Sequence, residues 1–247
     1  MSRRLFYCDH HELPLPAGHR FPAEKYRLLR ERLSADGYFE LLPADPAKLE
    51  DIELAHDPAY VRAVVDGTLD AAVQRRIGFP WSPQLVQRTL CSVGGTLAAV
   101  DEALATGWGG NLAGGTHHAF RDTGSGFCIL NDLAIAIHAG RRDGKFRRAA
   151  VLDVDVHQGD GTALLLAEDP DAFTVSIHCA DNFPFRKQQS GLDLELPAGT
   201  RDAEFLAALD RALQRVLEFR PEILLYVEWV LAEIGRLRPP GTGASSP

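Results

Sequence analysis

Three side chains able to bind a cation are interleaved with valine in residues 151–162, Val-Leu-Asp-Val-Asp-Val-His-Gln-Gly-Asp-Gly-Thr. Asp153, Asp155 and His157 recur at a period of two, which on an extended chain directs them to one side. Two carboxylates and an imidazole crowded there are costly to bury unless something cationic binds them. Asp and His are ordinary zinc ligands, so a divalent metal is the simplest such cation. In isolation the same pattern equally describes a strand end with solvated acids.

Two further segments carry chemistry. Residues 111–120, Asn-Leu-Ala-Gly-Gly-Thr-His-His-Ala-Phe, run from a short apolar strand at Asn111–Ala113 through a glycine turn into His117 and His118. Adjacent imidazoles on such a turn can face one pocket, and each needs a partner on its other ring nitrogen to act as acid or base. Asp153 and Asp160 are the spare carboxylates. Residues 124–136, Gly-Ser-Gly-Phe-Cys-Ile-Leu-Asn-Asp-Leu-Ala-Ile-Ala, read alone as a tight turn opening a helix.

In this order and spacing the three segments resemble the zinc-dependent histone deacetylase family, with its bacterial, acetoin-utilisation and acetylpolyamine branches. His56-Asp57-Pro58-Ala59-Tyr60-Val61, Gly78-Phe79-Pro80-Trp81-Ser82 and residues 175–185 match as well, so the resemblance covers about residues 3–227. It implies an α/β fold, one domain with an open parallel sheet flanked by helices, and residue roles as follows. Asp155 and His157 match two of three ligands to Zn2+ or Fe2+. His118 matches the general base and later acid, with Asp160 behind it, and His117 pairs with Asp153. Gly126, Phe127 and Phe183 match the walls of a narrow acyl-lysine tunnel. Asp153, Asp155, His157 and Ser176 match a monovalent cation (K+) site. The implied reaction is metal-assisted amide hydrolysis on an acetylated protein lysine or an acetylated small amine.

The chain departs from the family after Ile223–Val227. Leu231 stands where the third metal ligand belongs, with Glu228 and Glu233 as possible replacements, and no tyrosine follows Tyr226 to act as oxyanion donor. The expectation is a deacetylase-like domain over 1–230 and an atypical, disordered tail over 231–247. The family's final strand, expected between the strand ending near Ala113 and Ile223–Val227, would then be lacking, and activity impaired. A non-catalytic acyl-amine-binding protein is the alternative. Arginase-like chemistry is disfavoured by the single D-x-D-x-H and the tandem histidines.

These side chains need a scaffold, and the pattern supplies one. Strands are expected at Leu5–Cys8, Ala149–Val154, Phe173–Ile177 and Ile223–Val227. Helices are expected at Ala23–Ala35, Ala59–Val65, Ser82–Ala105 (capped by Ser82-Pro83), Asn131–Ala139 (ended by Gly140) and Asp202–Phe219. In the last, Phe205, Leu209, Ala212, Leu213 and Val216 share one face. Strands alternating with helices argue for a parallel sheet with its site at the strand ends. His138 reads as structural or exposed. His178 ends a strand and either fills it or lines the site mouth, and His10, His11 and His19 read as rim or solvated residues. With 247 residues, 45% apolar, one large core is within reach. A net charge of −8 argues against nucleic-acid binding. Cys8, Cys91, Cys128 and Cys179 form no C-x-x-C pair, and no apolar run approaches a membrane span, so a cytoplasmic protein with reduced thiols is expected.

Overall fold

The structure is a computed structural model that describes residues 3–228. Its seven strands are all parallel and form two sheets. One holds β1 (Arg3–Tyr7), β2 (Phe39–Pro43) and β3 (Gly110–Asn111) in the order β2-β1-β3. The other holds β4 (Ala149–Asp153), β5 (Ala172–Cys179), β6 (Leu192–Leu196) and β7 (Ile223–Val227) in the order β6-β5-β4-β7. Helices α1 (Glu24–Asp36), α2 (Leu49–Ile52), α3 (Pro58–Asp66), α4 (Ala71–Ile77), α5 (Pro83–Thr106), α6 (Asp132–Arg142), α7 (Asp160–Leu165) and α8 (Asp202–Phe219) connect them.

The parallel α/β class with flanking helices matches the expectation, and the strands fall into two sheets rather than one ladder. Among the described residues no ladder joins β3 to β7, although the chain ends beyond them come close: a Cβ on Gly115 would lie 2.9 Å from Val227 Cγ1. The division falls where the family resemblance puts a further strand. The strand near 111 is also shorter than expected, ending at Asn111, because Ala113 leaves the ladder: its amide binds the Asn111 side chain instead.

Burial follows position in the sheets. Central β4 is buried at all five residues, as a parallel strand covered on both faces must be. One face, with Ala149, Val151, Ile223, Leu225 and Val227, packs on the main core built with α5 and α6. The other, with Ala150, Leu152, Val175 and Ile177, packs on α8. Ala208, Ala212 and Val216 are the buried stripe of α8, spaced one turn apart. Leu213 was expected on that face but is 38% exposed. Small side chains at 208 and 212 let the helix sit close to the sheet, and Leu213 falls on its flank.

α5 runs unbroken through Gly94-Gly95 because neighbours lie against both. A Cβ at Gly94 would stand 1.8 Å from the Asp45 carbonyl oxygen. Ser82 Oγ caps the helix by accepting from Leu85 N at 3.0 Å. α6 passes Gly140, against expectation, because that glycine admits the Phe146 ring rather than ending the helix. The four cysteines are free thiols. Among the described residues no helix is long and apolar enough to cross a membrane.

Among the described residues β7 pairs only with β4, and its α8-side residues Leu224 and Tyr226 are 41% and 54% exposed. An open strand edge beside apolar surface is a template for association. The purified chain is therefore expected to self-associate with rising concentration and to bind an apolar dye in the native state. Light scattering that shows a monomer across the accessible range, with no excess dye binding, would contradict this.

Candidate active site

The chemistry-bearing residues meet beyond the C-terminal ends of β3, β4 and β5. The period-two argument for Asp153, Asp155 and His157 holds only at its start. β4 ends at Asp153, and the next residues leave the sheet. What orders them is a relay of carboxylate turns. Asp155 N donates to Asp153 Oδ1 (3.0 Å), and His157 N donates to Asp155 Oδ1 (2.7 Å). Asp side chains commonly bind the backbone two residues on, and here they do so in succession. Val156 is consequently 47% exposed rather than packed in a strand.

The tandem histidines each reach a carboxylate. His117 Nδ1 lies 2.5 Å from Asp153 Oδ2, and His118 Nδ1 lies 2.7 Å from Asp160 Oδ1. All four side chains are buried. The two imidazoles are 4.1 Å apart between ring centroids, and His157 stands edge-on to His118 at 5.8 Å. Burial disfavours charge on His117, but Asp153, with help from Asp155 and Asp160, overrides it and raises the pKa to about 9. Burial lowers the pKa of His118, and the neighbouring His117 lowers it further. Adjacent imidazoles thus have opposite protonation preferences, the separation that acid–base sites use.

Asp155 and His157 offer two donors of the right chemistry for a divalent metal: His157 Nδ1 stands 2.9 Å from Asp155 Oδ1. They fit as part of a ligand set. Among the described residues no group of three His, Cys, Asp or Glu side chains is placed to hold a metal. Glu228 does not complete it. Its carboxylate is exposed and accepts a hydrogen bond from Tyr226 Oη at 3.3 Å, in a strand where Tyr226 lies on the α8 side. Leu231, Glu233 and the tail 231–247 lie outside the described residues.

Gly126 and Phe127 occupy a two-residue turn closed by Ser125 N to Cys128 O (3.0 Å) and Cys128 N to Ser125 O (2.8 Å). Their φ values are +56° and +66°, the left-handed pair that such a turn demands. Glycine meets this without strain, whereas Phe127 is held there by its surroundings. Phe127 N donates to Ile77 O at 2.8 Å, and its ring packs on Phe21, Phe79 and His19. Phe183 stands edge-on to His118 at 4.9 Å. A Cβ on Gly126 would meet His118 Cδ2 at 2.8 Å and Phe183 Cε1 at 3.1 Å. Gly126→Ala is therefore expected to crowd His118 and Phe183 and to destabilise the chain by about 1 kcal/mol, which thermal unfolding of the variant checks.

Ser176 pairs in register with Asp153, and its hydroxyl lies 3.0 Å from His178 Nδ1. His178 is 2% exposed and fills the end of β5 rather than the site mouth. His138 lies in α6, partly buried. The His10 and His11 rings lie 4.1 Å apart, tilted by 44°, and His19 Nε2 lies 2.9 Å from Gly78 O, beside the Phe127 turn.

Two supports were not foreseen from the sequence. α4 anchors the Gly126–Phe127 turn through its last carbonyls, Arg76 O and Ile77 O. Gln158, buried within the first motif, donates to Gln188 O (2.7 Å) and Asp193 Oδ1 (2.8 Å) and accepts from Gln188 N (2.8 Å). It thereby ties the metal-donor loop to the segment that follows Phe183. Its place inside the motif was the available signal.

Buried His–Asp pairs thus lie beside an Asp/His donor pair at the strand ends of a parallel α/β fold, an arrangement suited to acid–base chemistry. Residues 19–228 match the model of the histone deacetylase domain, and the chain belongs to that family. An uncharacterised protein of Picosynechococcus is 46% identical over 239 residues, covering 95% of this chain and 80% of its own length. The acetoin utilization protein AcuC of Bacillus subtilis is 32% identical over 203 residues, 72% of this chain and 52% of its own. The chain thus spans about half the length of that relative. The crystal structure of an HDAC homolog from Aquifex aeolicus superposes with a TM-score of 0.76 at 26% identity, covering 92% of this chain and 68% of that one.

Proposed function

We propose that this chain is a metal-dependent amide hydrolase that removes an acetyl group from a protein lysine or a small amine in the cytoplasm. The observation that supports this best is the pairing of His118 with Asp160 beside the Asp155–His157 donors and the Phe183 ring. Zn2+ or Fe2+ held by Asp155 and His157 would supply polarisation of the amide carbonyl and a more acidic water. Asp160 occupies Nδ1 of His118, which leaves Nε2 as the nitrogen that takes a proton and returns it to the leaving amine. His117, charged near neutrality against Asp153, stabilises negative charge that develops nearby. Gly126, Phe127 and Phe183 flank the aliphatic stem of the substrate and exclude water. Asp153, Asp155, His157 and Ser176 are the residues assigned to a monovalent cation such as K+. Two candidate metal ligands among the described residues, where three are usual, favour a second reading, a protein of this fold that binds acyl-amines without turning them over.

The pH profile tests the reading. His118 must be neutral to accept a proton, and its pKa is lowered, so kcat/KM rises from acid to a plateau with a midpoint below that of an ordinary imidazole. Activity falls again as His117 loses its proton near pH 9. The same measurement on an acetyl-lysine peptide and an acetylated polyamine identifies the substrate class. A profile without an acid limb would rule out His118 as the base.

A further inference from the structure

The start of α6, which the sequence presents as an ordinary loop-to-helix junction, grips the tandem histidines on both sides. Asp132 is 1% exposed and is the first residue of the helix. Its Oδ2 accepts from Thr96 Oγ1 (2.6 Å) and Gly115 N (3.0 Å), and its Oδ1 accepts from Thr116 N (2.7 Å) and lies 2.6 Å from Thr116 Oγ1. Asn131 holds the far side. Its Nδ2 donates to Ala119 O (3.2 Å) and Thr162 Oγ1 (3.0 Å), while its Oδ1 accepts from Ala134 N (3.0 Å). Thr162 N in turn donates to His117 O at 3.0 Å. The dipeptide His117-His118 is therefore fixed at residues 115–116 by one side chain and at residue 119 by the next.

We infer that Asp132 is a positioning residue for His117 and His118, with Asn131 completing the clamp. The inference rests on the proposed roles of those histidines. The chemistry calls for a carboxylate. The Asp132 oxygens face two backbone N–H groups and the Thr96 hydroxyl, and the N-terminus of α6 favours negative charge there. Asparagine is nearly the same size but would turn an N–H2 group toward one set of donors. A small rotation of the 115–116 turn then moves both imidazoles relative to Asp153 and Asp160, and misplacement by about 1 Å can cost on the order of a hundredfold in rate.

The test compares Asp132→Asn, Thr96→Val and Thr96→Ser in the full chain. For Asp132→Asn, kcat on an acetyl-lysine peptide is expected to fall roughly tenfold or more while KM stays within about twofold, because the clamp touches no substrate. In the metal-free protein the His117 Nδ1 proton, held against Asp153, should give a downfield resonance that shifts or vanishes in Asp132→Asn and Thr96→Val. Thr96→Ser keeps the hydroxyl and should restore both readings. A role in stability alone would lower the unfolding temperature and leave the kcat-to-KM split and the resonance as in the parent. That outcome overturns the inference. Should Asp132→Asn fail to fold, an unchanged resonance in folded Thr96→Val does so instead. If the parent shows no turnover, the hydrolase reading fails, and the resonance still decides the role of Asp132.

Discussion

Asp155→Ala is expected to empty the metal site, with bound zinc falling from near one equivalent in the parent to a background level. Asp155 supplies one of two donors among the described residues and is itself ordered by Asp153 and orders His157. Removing it deletes a ligand and also releases the His157 amide and ring. Metal bound through so few groups cannot survive both losses. Metal analysis after dialysis against metal-free buffer reads the result. Stoichiometric zinc in the variant would show that the metal sits elsewhere.

His118→Ala should behave oppositely. His118 Nδ1 is committed to Asp160, and its ring lies edge-on to His157 without occupying either donor atom. Metal content should remain near the parent value, while amide hydrolysis falls by roughly a hundred- to ten-thousand-fold, the usual contribution of a general base. Metal analysis and single-turnover kinetics on the same preparation separate the two effects. A variant that loses metal yet turns over normally once reloaded would exchange the two roles.

The site was more legible in the sequence than the way it is held. Asp153, Asp155, His157, His117, His118 and Asp160 stand out because their types and spacing are unusual, and the structure brings them together. The relay of carboxylate turns could not, since a period of two looks the same whether or not the strand continues past Asp153. α4 was missed because a seven-residue helix is too short to show a period, although Asp70 caps it through Ala72 N at 2.7 Å. β6, Leu-Asp-Leu-Glu-Leu, shows its alternation plainly, and this signal was overlooked. The division of the sheet depends on strands more than a hundred residues apart, so local pattern does not carry it, and the sign of it was the resemblance, which puts a further strand between the strand near Ala113 and Ile223–Val227. Gly140 misled because a glycine that ends a helix and one that admits a ring are the same letter.

The proposed activity is hydrolysis of an acetylated amine at these residues, not only its binding. It is tested most directly by measuring free acetate released from an acetyl-lysine peptide by zinc-loaded protein, with and without a chelator. Saturable acetate release that stops when the metal is removed is the expected result. Saturable binding of the acetylated peptide with no acetate released above the chelated control would contradict it.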